Sequence, residues 1–400
     1  MTRSIALLVS AGLMLGAILA FAPPAHTDTG APASGTSGTT RNLAEELQAL
    51  VDSQIDTLSD CPVHNVVLLM EGPAFKWKGA AGLADGESEA MTPDHKFKIA
   101  SISKTLTATV ILQLMEEGAV SLDDTLEEYL DASQVDPDSL HIHAGVPYGH
   151  HITIEQLLGH TSGITDYMED ARFIADVLEH PDVQFSPEKI LEKYFAYRTN
   201  QKAAFPPGKG WQYADPNYVL LAMIIEKATG STLQAQYRER IFDELGMENS
   251  YLEFYEEPRG SDPFSHAFFQ QVDINRYVNT SFDWGDGGIV STCEELNKFF
   301  RALLQGELFE KESTLALMLE AADRGFGGEE YDYGLGIMKR VICGLTFYGH
   351  GGAYDCDAYY CLEKDISVCM SLNQMITHGK RDKFVEQAVG IVGRWRQELR

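Results

Sequence analysis

Apolar positions recur at helical spacing where the folded part of the chain begins. Leu43, Leu47, Leu50 and Leu58, set among Glu, Asp and Gln, predict an amphipathic helix over Asn42–Leu58. The period then shortens. Val63–Met70 and Phe75–Ala81 read as two short strands divided by the turn residues Glu71-Gly72-Pro73. In the middle of the chain the helical period returns over Ile152–Leu158, Pro187–Tyr197, Tyr218–Thr229 and Leu233–Leu245, with Pro- and Gly-rich breaks between. β-Branched and aromatic residues predict strands at Leu335–Val341, Leu345–Tyr348, Ala358–Leu362 and Ile366–Leu372, and a last amphipathic helix follows over Asp382–Leu399. Strands at both ends with helices between them predict an α/β fold: one sheet, interrupted by a helical insertion.

The N-terminus has a different pattern. Ile5–Ala22 is an uncharged, mostly apolar run of 18 residues after Arg3, and Ala20-Phe21-Ala22 has the form of a cleavage site, although Pro23 disfavours cutting there. Residues 1–25 are therefore expected to be a signal peptide or a retained anchor, and residues 26–41, small and polar, a flexible linker. The expected location is periplasmic or extracellular, with membrane anchoring only through residues 5–22.

Composition is ordinary for a globular chain, at 44% hydrophobic and 22% charged. Charge changes the picture more. Lys and Arg number 31 against 59 Asp and Glu, a net charge of −28 that falls almost wholly in the body of the chain. With no basic footprint, nucleic acid is a poor partner. Six cysteines (Cys61, Cys293, Cys343, Cys356, Cys361 and Cys369) allow 15 pairings, which sequence leaves open, and no Cys-x-x-Cys pair suggests a zinc or thioredoxin-like site.

The candidate chemistry starts at Phe97-Lys98-Ile99-Ala100-Ser101-Ile102-Ser103-Lys104, which runs into a helix that is apolar almost all round and ends at Gly118. Such a helix is expected to be buried. Ser101 would sit at its first turn, near unpaired N–H groups that favour a developing oxyanion. Lys104, three residues on, shares its face, and desolvation is expected to lower its pKa so that it can act as base. By itself Ser-x-x-Lys is a weak signal. The chain has a second match, Ser186-Pro187-Glu188-Lys189, which reads as a helix N-cap with a solvated lysine. Two further segments add weight: Tyr213-Ala214-Asp215 in a loop before a helix, and Gly349-His350-Gly351-Gly352-Ala353 after a strand, where glycines would admit a substrate backbone.

In the order Ser-x-x-Lys, Tyr-x-Asp, His-x-Gly, these segments resemble the serine β-lactamase and penicillin-binding protein superfamily. The likeness is to its class C β-lactamase, D-alanyl-D-alanine carboxypeptidase and family VIII esterase branch. Leu157–Ile164, Asn217–Leu221 and Gly287–Thr292 agree with it, and the resemblance spans about residues 43–397. It implies a β-lactamase/transpeptidase-like fold: an antiparallel sheet flanked by helices, within a domain of residues 42–400 carrying a helical subdomain at about 125–285. It also implies a serine hydrolase in which Ser101 forms an acyl-enzyme, Lys104 and Tyr213 move its proton, and Ser101 and Ala353 supply oxyanion donors. Asp215 would orient Lys104, while His350, Gly351 and Gly352 would line the substrate.

Two departures bear on substrate. Asp215 stands where class C lactamases carry Asn, and a carboxylate cannot donate to a substrate carbonyl. His350-Gly351-Gly352 replaces Lys-Thr-Gly, removing a fixed cation and a hydroxyl. Both move the expectation from lactams toward a D-Ala-D-Ala carboxypeptidase or D-peptidase, with a carboxylesterase, a class C-like β-lactamase and a non-catalytic envelope protein as alternatives. The partner expected is a small or peptidoglycan-like peptide or ester. No cofactor or metal is implied: His141, His143, His150 and His151 read as a solvated insertion, and Asp355-Cys356-Asp357 lacks calcium-loop density. His160 and Ser162 read as structural hydrogen-bonders, and no Gly-x-Ser-x-Gly points to an α/β-hydrolase.

Overall fold

The computed structural model describes residues 42–130, 135–321, 325–328 and 331–398, so the expected export segment and linker lie outside the described residues. The two N-terminal strands, Asn65–Gly72 (β1) and Phe75–Gly82 (β2), form a hairpin. Five strands from the C-terminal part join them: Asp332–Tyr333 (β3), Met338–Ile342 (β4), Leu345–Gly352 (β5), Cys356–Cys361 (β6) and Ile366–Ser371 (β7). The spatial order is β3-β4-β5-β6-β7-β1-β2, antiparallel throughout, with Val67 opposite Ser371 where the two ends of the chain meet. The fold is thus the mixed α/β architecture expected, with an antiparallel sheet.

Helices cover both faces of this sheet. Five of them frame it or the site: Leu43–Asp52 (α1), Ser103–Glu116 (α2), Pro216–Thr229 (α3), Cys293–Leu304 (α4) and Lys380–Glu398 (α5). Along β1 the side chains alternate. Val66, Leu68 and Met70 pack with Leu47 of α1 and Phe384 and Val385 of α5, whereas Val67 and Leu69 enter the larger core that holds Phe299 and Leu303 of α4. A strand buried on both faces has no polar alternation to show, hence its unbroken apolar run. Between Leu126 and Gly287 the chain forms helices and two-residue strands, none of which joins the seven-stranded sheet.

Several boundaries differ from expectation for identifiable reasons. Helix α1 ends at Asp52 because the Ser53 hydroxyl and Gln54 amide both bond the Leu50 carbonyl; Asp56 then accepts the N–H groups of Leu58 and Ser59, and Leu58 is 96% exposed. Strand β5 continues through His350 and Gly352, paired with Ala358 and Cys356, so the glycines lie inside the sheet and not in a turn. Strand β4 starts only at Met338 because Gly336 adopts φ +78°, where a Cβ would come within 2.3 Å of Ala108 Cβ. Leu233–Leu245 is broken by a π-helical stretch at Arg238–Phe242. Helix α4 was not among the predicted elements, yet it packs against β6, β7 and β1.

Candidate active site

Helix α2 runs through the middle of the molecule, as its composition predicts: eleven of its fourteen residues are buried. Its hydroxyls compensate its backbone environment. Thr105 Oγ1 donates to the Gly336 carbonyl, Thr107 Oγ1 to Gly285, and Ser103 Oγ accepts from Ile289 N. A 3₁₀ turn, Ala100–Ile102, leads into the helix and presents Ser101. Ala100 holds φ +46°, a left-handed conformation that costs a non-glycine residue about 1–3 kcal/mol. That turn is pressed against β5: a Cβ on Gly352 would lie 2.4 Å from the Ile99 carbonyl oxygen and 2.6 Å from Cys356 Sγ. The absent side chain of Gly352 therefore makes room for the backbone of the turn that carries Ser101 rather than for a ligand. Gly351 is likewise filled from within, its missing Cβ facing Asp357 Oδ1 at 2.7 Å.

Lys104 Nζ has all three of its protons engaged. It reaches Asp215 Oδ1 at 2.7 Å, the Asp286 carbonyl at 2.9 Å and Ser101 Oγ at 3.1 Å, with Asp286 Oδ2 3.9 Å away. Burial does push its pKa down, but the Asp215 carboxylate, through its charge and its hydrogen bond, with Tyr213 and Asp286 beside it, outweighs burial and holds it well above the usual lysine range. This corrects the expectation of a lowered pKa. The resting Lys104 is an ammonium that donates to Ser101. Burial pushes the Tyr213 phenol up as well, although the Lys104 charge and hydrogen bonds to Ser101 and Lys104 oppose it.

Neighbouring elements hold these groups in place. Asp215 sits at the N-terminus of α3, ahead of Pro216, yet its carboxylate caps no helix N–H and turns to Lys104 instead. Tyr213 lies over the Lys104 ammonium, 5.0 Å from ring centroid to Nζ, and against the His160 ring, with centroids 4.2 Å apart. His160 Nδ1 accepts from both Ala214 N and Asn217 Nδ2, so its proton is on Nε2 and the ring is neutral; burial and the Lys104 charge hold its pKa far below normal. Ser162 Oγ donates to Asn217 Oδ1. Both residues act as the structural hydrogen-bonders expected.

Ser101, Lys104, Tyr213 and Asp215 thus converge, and Ala353 joins Ser101 on the wall of a cavity of about 90 Å³. His350 does not line that cavity. It is fully buried within β5, bonded through Nε2 to Tyr333 Oη at 3.1 Å, and burial drops its pKa to about 3. The expectation that it faces substrate is corrected: it is a neutral packing partner of Tyr213 and Tyr333. His141 is buried rather than solvated, its Nε2 2.9 Å from the Phe205 carbonyl oxygen. Sequence reasoning missed three carboxyls. Asp166, Asp283 and Asp286 arrive from separate elements and surround Lys104 and Asp215; only the glycine-rich run Trp284–Gly288, which holds Asp286 and directly follows Asp283, could have drawn attention to the last two.

The chain is 29% identical over 311 residues to penicillin-binding protein 4* of Bacillus subtilis, covering 74% of this chain and 63% of that one. It is 28% identical over 325 residues to a D-aminopeptidase of Brucella anthropi, covering 78% and 56%. It therefore spans less than two thirds of these curated relatives. Among solved structures it superimposes on a D-stereospecific amidohydrolase from Streptomyces sp. with a TM-score of 0.71 at 29% identity, covering 86% of this chain and 97% of the other. The fold also matches a D-amino acid amidase from Ochrobactrum anthropi, with a TM-score of 0.71 at 22% identity and 88% and 99% coverage. Residues 65–389, the span that contains the sheet, α2 and every residue of this cluster, match the family described as Beta-lactamase, and the chain belongs to that family.

Proposed function

We propose that this chain is a serine hydrolase that cleaves amide bonds of small D-amino-acid substrates through a Ser101 acyl-enzyme. The observation that carries the reading is the buried Ser101–Lys104–Asp215 chain with Tyr213 laid over it. The names of the relatives, D-aminopeptidase and D-stereospecific amidohydrolase, support the substrate class.

The resting charges define what the mechanism must do. Substrate entry displaces water, and in that drier site the Lys104–Asp215 ion pair passes one proton across its 2.7 Å contact to become amine and carboxylic acid. The Lys104 amine then takes the Ser101 proton as Oγ attacks the carbonyl. Backbone N–H groups of Ser101 and Ala353 receive the oxyanion. Tyr213 gives its proton to the departing nitrogen and recovers one from Lys104, which leaves the acyl ester on Ser101 and releases the amine. Water attacks the ester in the reverse sequence, regenerating the serine. An asparagine at 215 could not accept that proton, which gives Asp215 a role beyond orientation.

A carboxypeptidase or lactam substrate needs a cation for its carboxylate, and His350 is buried and neutral. That favours substrates without a carboxylate beside the scissile bond. The test is ammonia release from D- and L-phenylalaninamide by the wild-type chain and by Ser101→Ala. The reading predicts turnover of the D-amide that disappears in the variant; turnover by Ser101→Ala overturns it.

A further inference from the structure

The cavity beside Ser101 has an unusual lining. Most of its wall is apolar, including Ile174, Val177, Ile274 and Phe282. Set into that wall are three carboxyls, Asp215, Asp283 and Asp286, and among the described lining residues there is no lysine or arginine. Asp215 is committed to Lys104. The other two are not neutralised in the same way. Asp286 is 2% exposed; its Oδ2 accepts from Tyr167 at 3.3 Å, while its Oδ1 accepts no hydrogen bond from any described residue. A Cβ on Gly287 would stand 3.4 Å from the Asp283 Cγ and 3.6 Å from the Ala100 carbonyl carbon, and Asp283, Gly287, Ala100 and Ser101 all line the cavity. An acceptor oxygen left unpaired in such a place costs free energy unless a donor arrives.

We infer that Asp283 and Asp286 form the recognition site for the free ammonium group of the substrate, and that the apolar wall receives its side chain. The occupant is then an amide or short peptide with an uncapped N-terminus and an apolar first residue. This inference rests on the hydrolase reading above and adds to it the chemical class read at the bond's acyl side. Burial and the Asp215 charge hold the Asp286 carboxyl well above the usual carboxylate range, and a cation here would favour its ionised form and supply the donor its Oδ1 lacks. Burial and the Asp215 charge hold the Asp283 pKa at about 7, against the pull of Lys98 and Lys104, so cation binding would also release a proton from it. The groups facing the pair are Lys104 of α2, Asp215 at the start of α3, Asp166 with Tyr167, and Lys98 with Glu253.

The test compares D-phenylalaninamide with its N-acetyl derivative. For the wild-type chain kcat/KM is expected to favour the free amine by about 30-fold or more, and in Asp283→Asn that ratio should fall toward unity, mainly through KM. Asn is nearly isosteric, and a retained melting transition confirms folding. A parallel calorimetric titration of Ser101→Ala with both compounds reads binding without turnover; the free amine should bind about tenfold more tightly, and Asp283→Asn in that background should erase the preference. Equal handling of the two compounds by wild type and by Ser101→Ala overturns the inference while leaving the hydrolase reading intact. Selective binding of the free amine by Ser101→Ala, with no amide turnover by wild type, supports the ammonium site and removes the hydrolase reading.

Discussion

The chain carries two Ser-x-x-Lys segments, and the structure gives them opposite characters. At Ser186 the serine caps a helix that begins with Pro187: its Oγ donates to Glu188 at 2.7 Å, and the Lys189 ammonium bonds the Gln184 carbonyl on an exposed face. At Ser101 the same spacing ends in a lysine with no solvent access, encircled by a carboxylate, a carbonyl and the serine itself. The i, i+3 relation puts the two side chains on one face in both places. What separates them is burial, the left-handed Ala100 that presents Ser101, and the carboxyls that arrive from distant parts of the chain. Spacing offers the chemistry, and the surroundings decide whether it exists.

Ser101→Ala should lower kcat/KM on any hydrolysed substrate by about 10⁴-fold or more, as loss of a covalent nucleophile does, whereas Ser186→Ala should leave it unchanged. Lys104→Ala should destroy activity and also destabilise the fold by about 3–5 kcal/mol, because Asp215 is left without the cation it pairs with inside the protein. Denaturant melts check this, and Lys189→Ala should change neither quantity. Gly352→Ala, which pushes a methyl into the Ile99 carbonyl, should cost about 1–3 kcal/mol and lower kcat by displacing the Ser101 turn. A Gly352→Ala chain with wild-type kcat would contradict that packing argument.

Smaller effects sharpen the contrast through pH. The folded pKa of His350, about 3, lies below its unfolded value, so its contribution is present above about pH 6.5 and is lost as pH falls toward 3. Replacing it with Gln should flatten the acid limb of a stability–pH curve. The folded pKa of Asp283, about 7, is raised above its unfolded 3.8, so its contribution is full below 3.8 and is lost as pH rises through 7. Asp283→Asn should therefore melt higher than wild type at pH 8, as expected where a binding site holds uncompensated charge. The smallest effect belongs to Ser186→Ala: about 1 kcal/mol of stability, from loss of the helix cap.

What was legible in the sequence follows the same division. Ser101, Lys104, Tyr213 and Asp215 are carried by short linear motifs, and their convergence follows from the fold those motifs imply. The charge state of Lys104 was not legible, because three of the groups that set it are remote in sequence. Nor was the burial of His350: a Gly-His-Gly-Gly run reads as a turn, yet its pairing with Cys356–Ala358 continues a strand. Helix α4 was passed over, although its Phe299, Phe300 and Leu303 fill the core beneath the sheet. Asp283 and Asp286 stand just ahead of Gly287–Thr292, a segment that entered only as part of the family likeness.

The central claim is the acyl-enzyme on Ser101. Its most direct test is intact-mass and peptide mapping of the chain, acid-quenched during turnover of a D-phenylalanine ester, with Ser101→Ala and Ser186→Ala run beside it. A mass increase equal to the D-phenylalanyl group, mapped to Ser101, absent in Ser101→Ala and retained in Ser186→Ala, is the predicted result. Continued turnover by Ser101→Ala, or an adduct that maps to another residue, would contradict it.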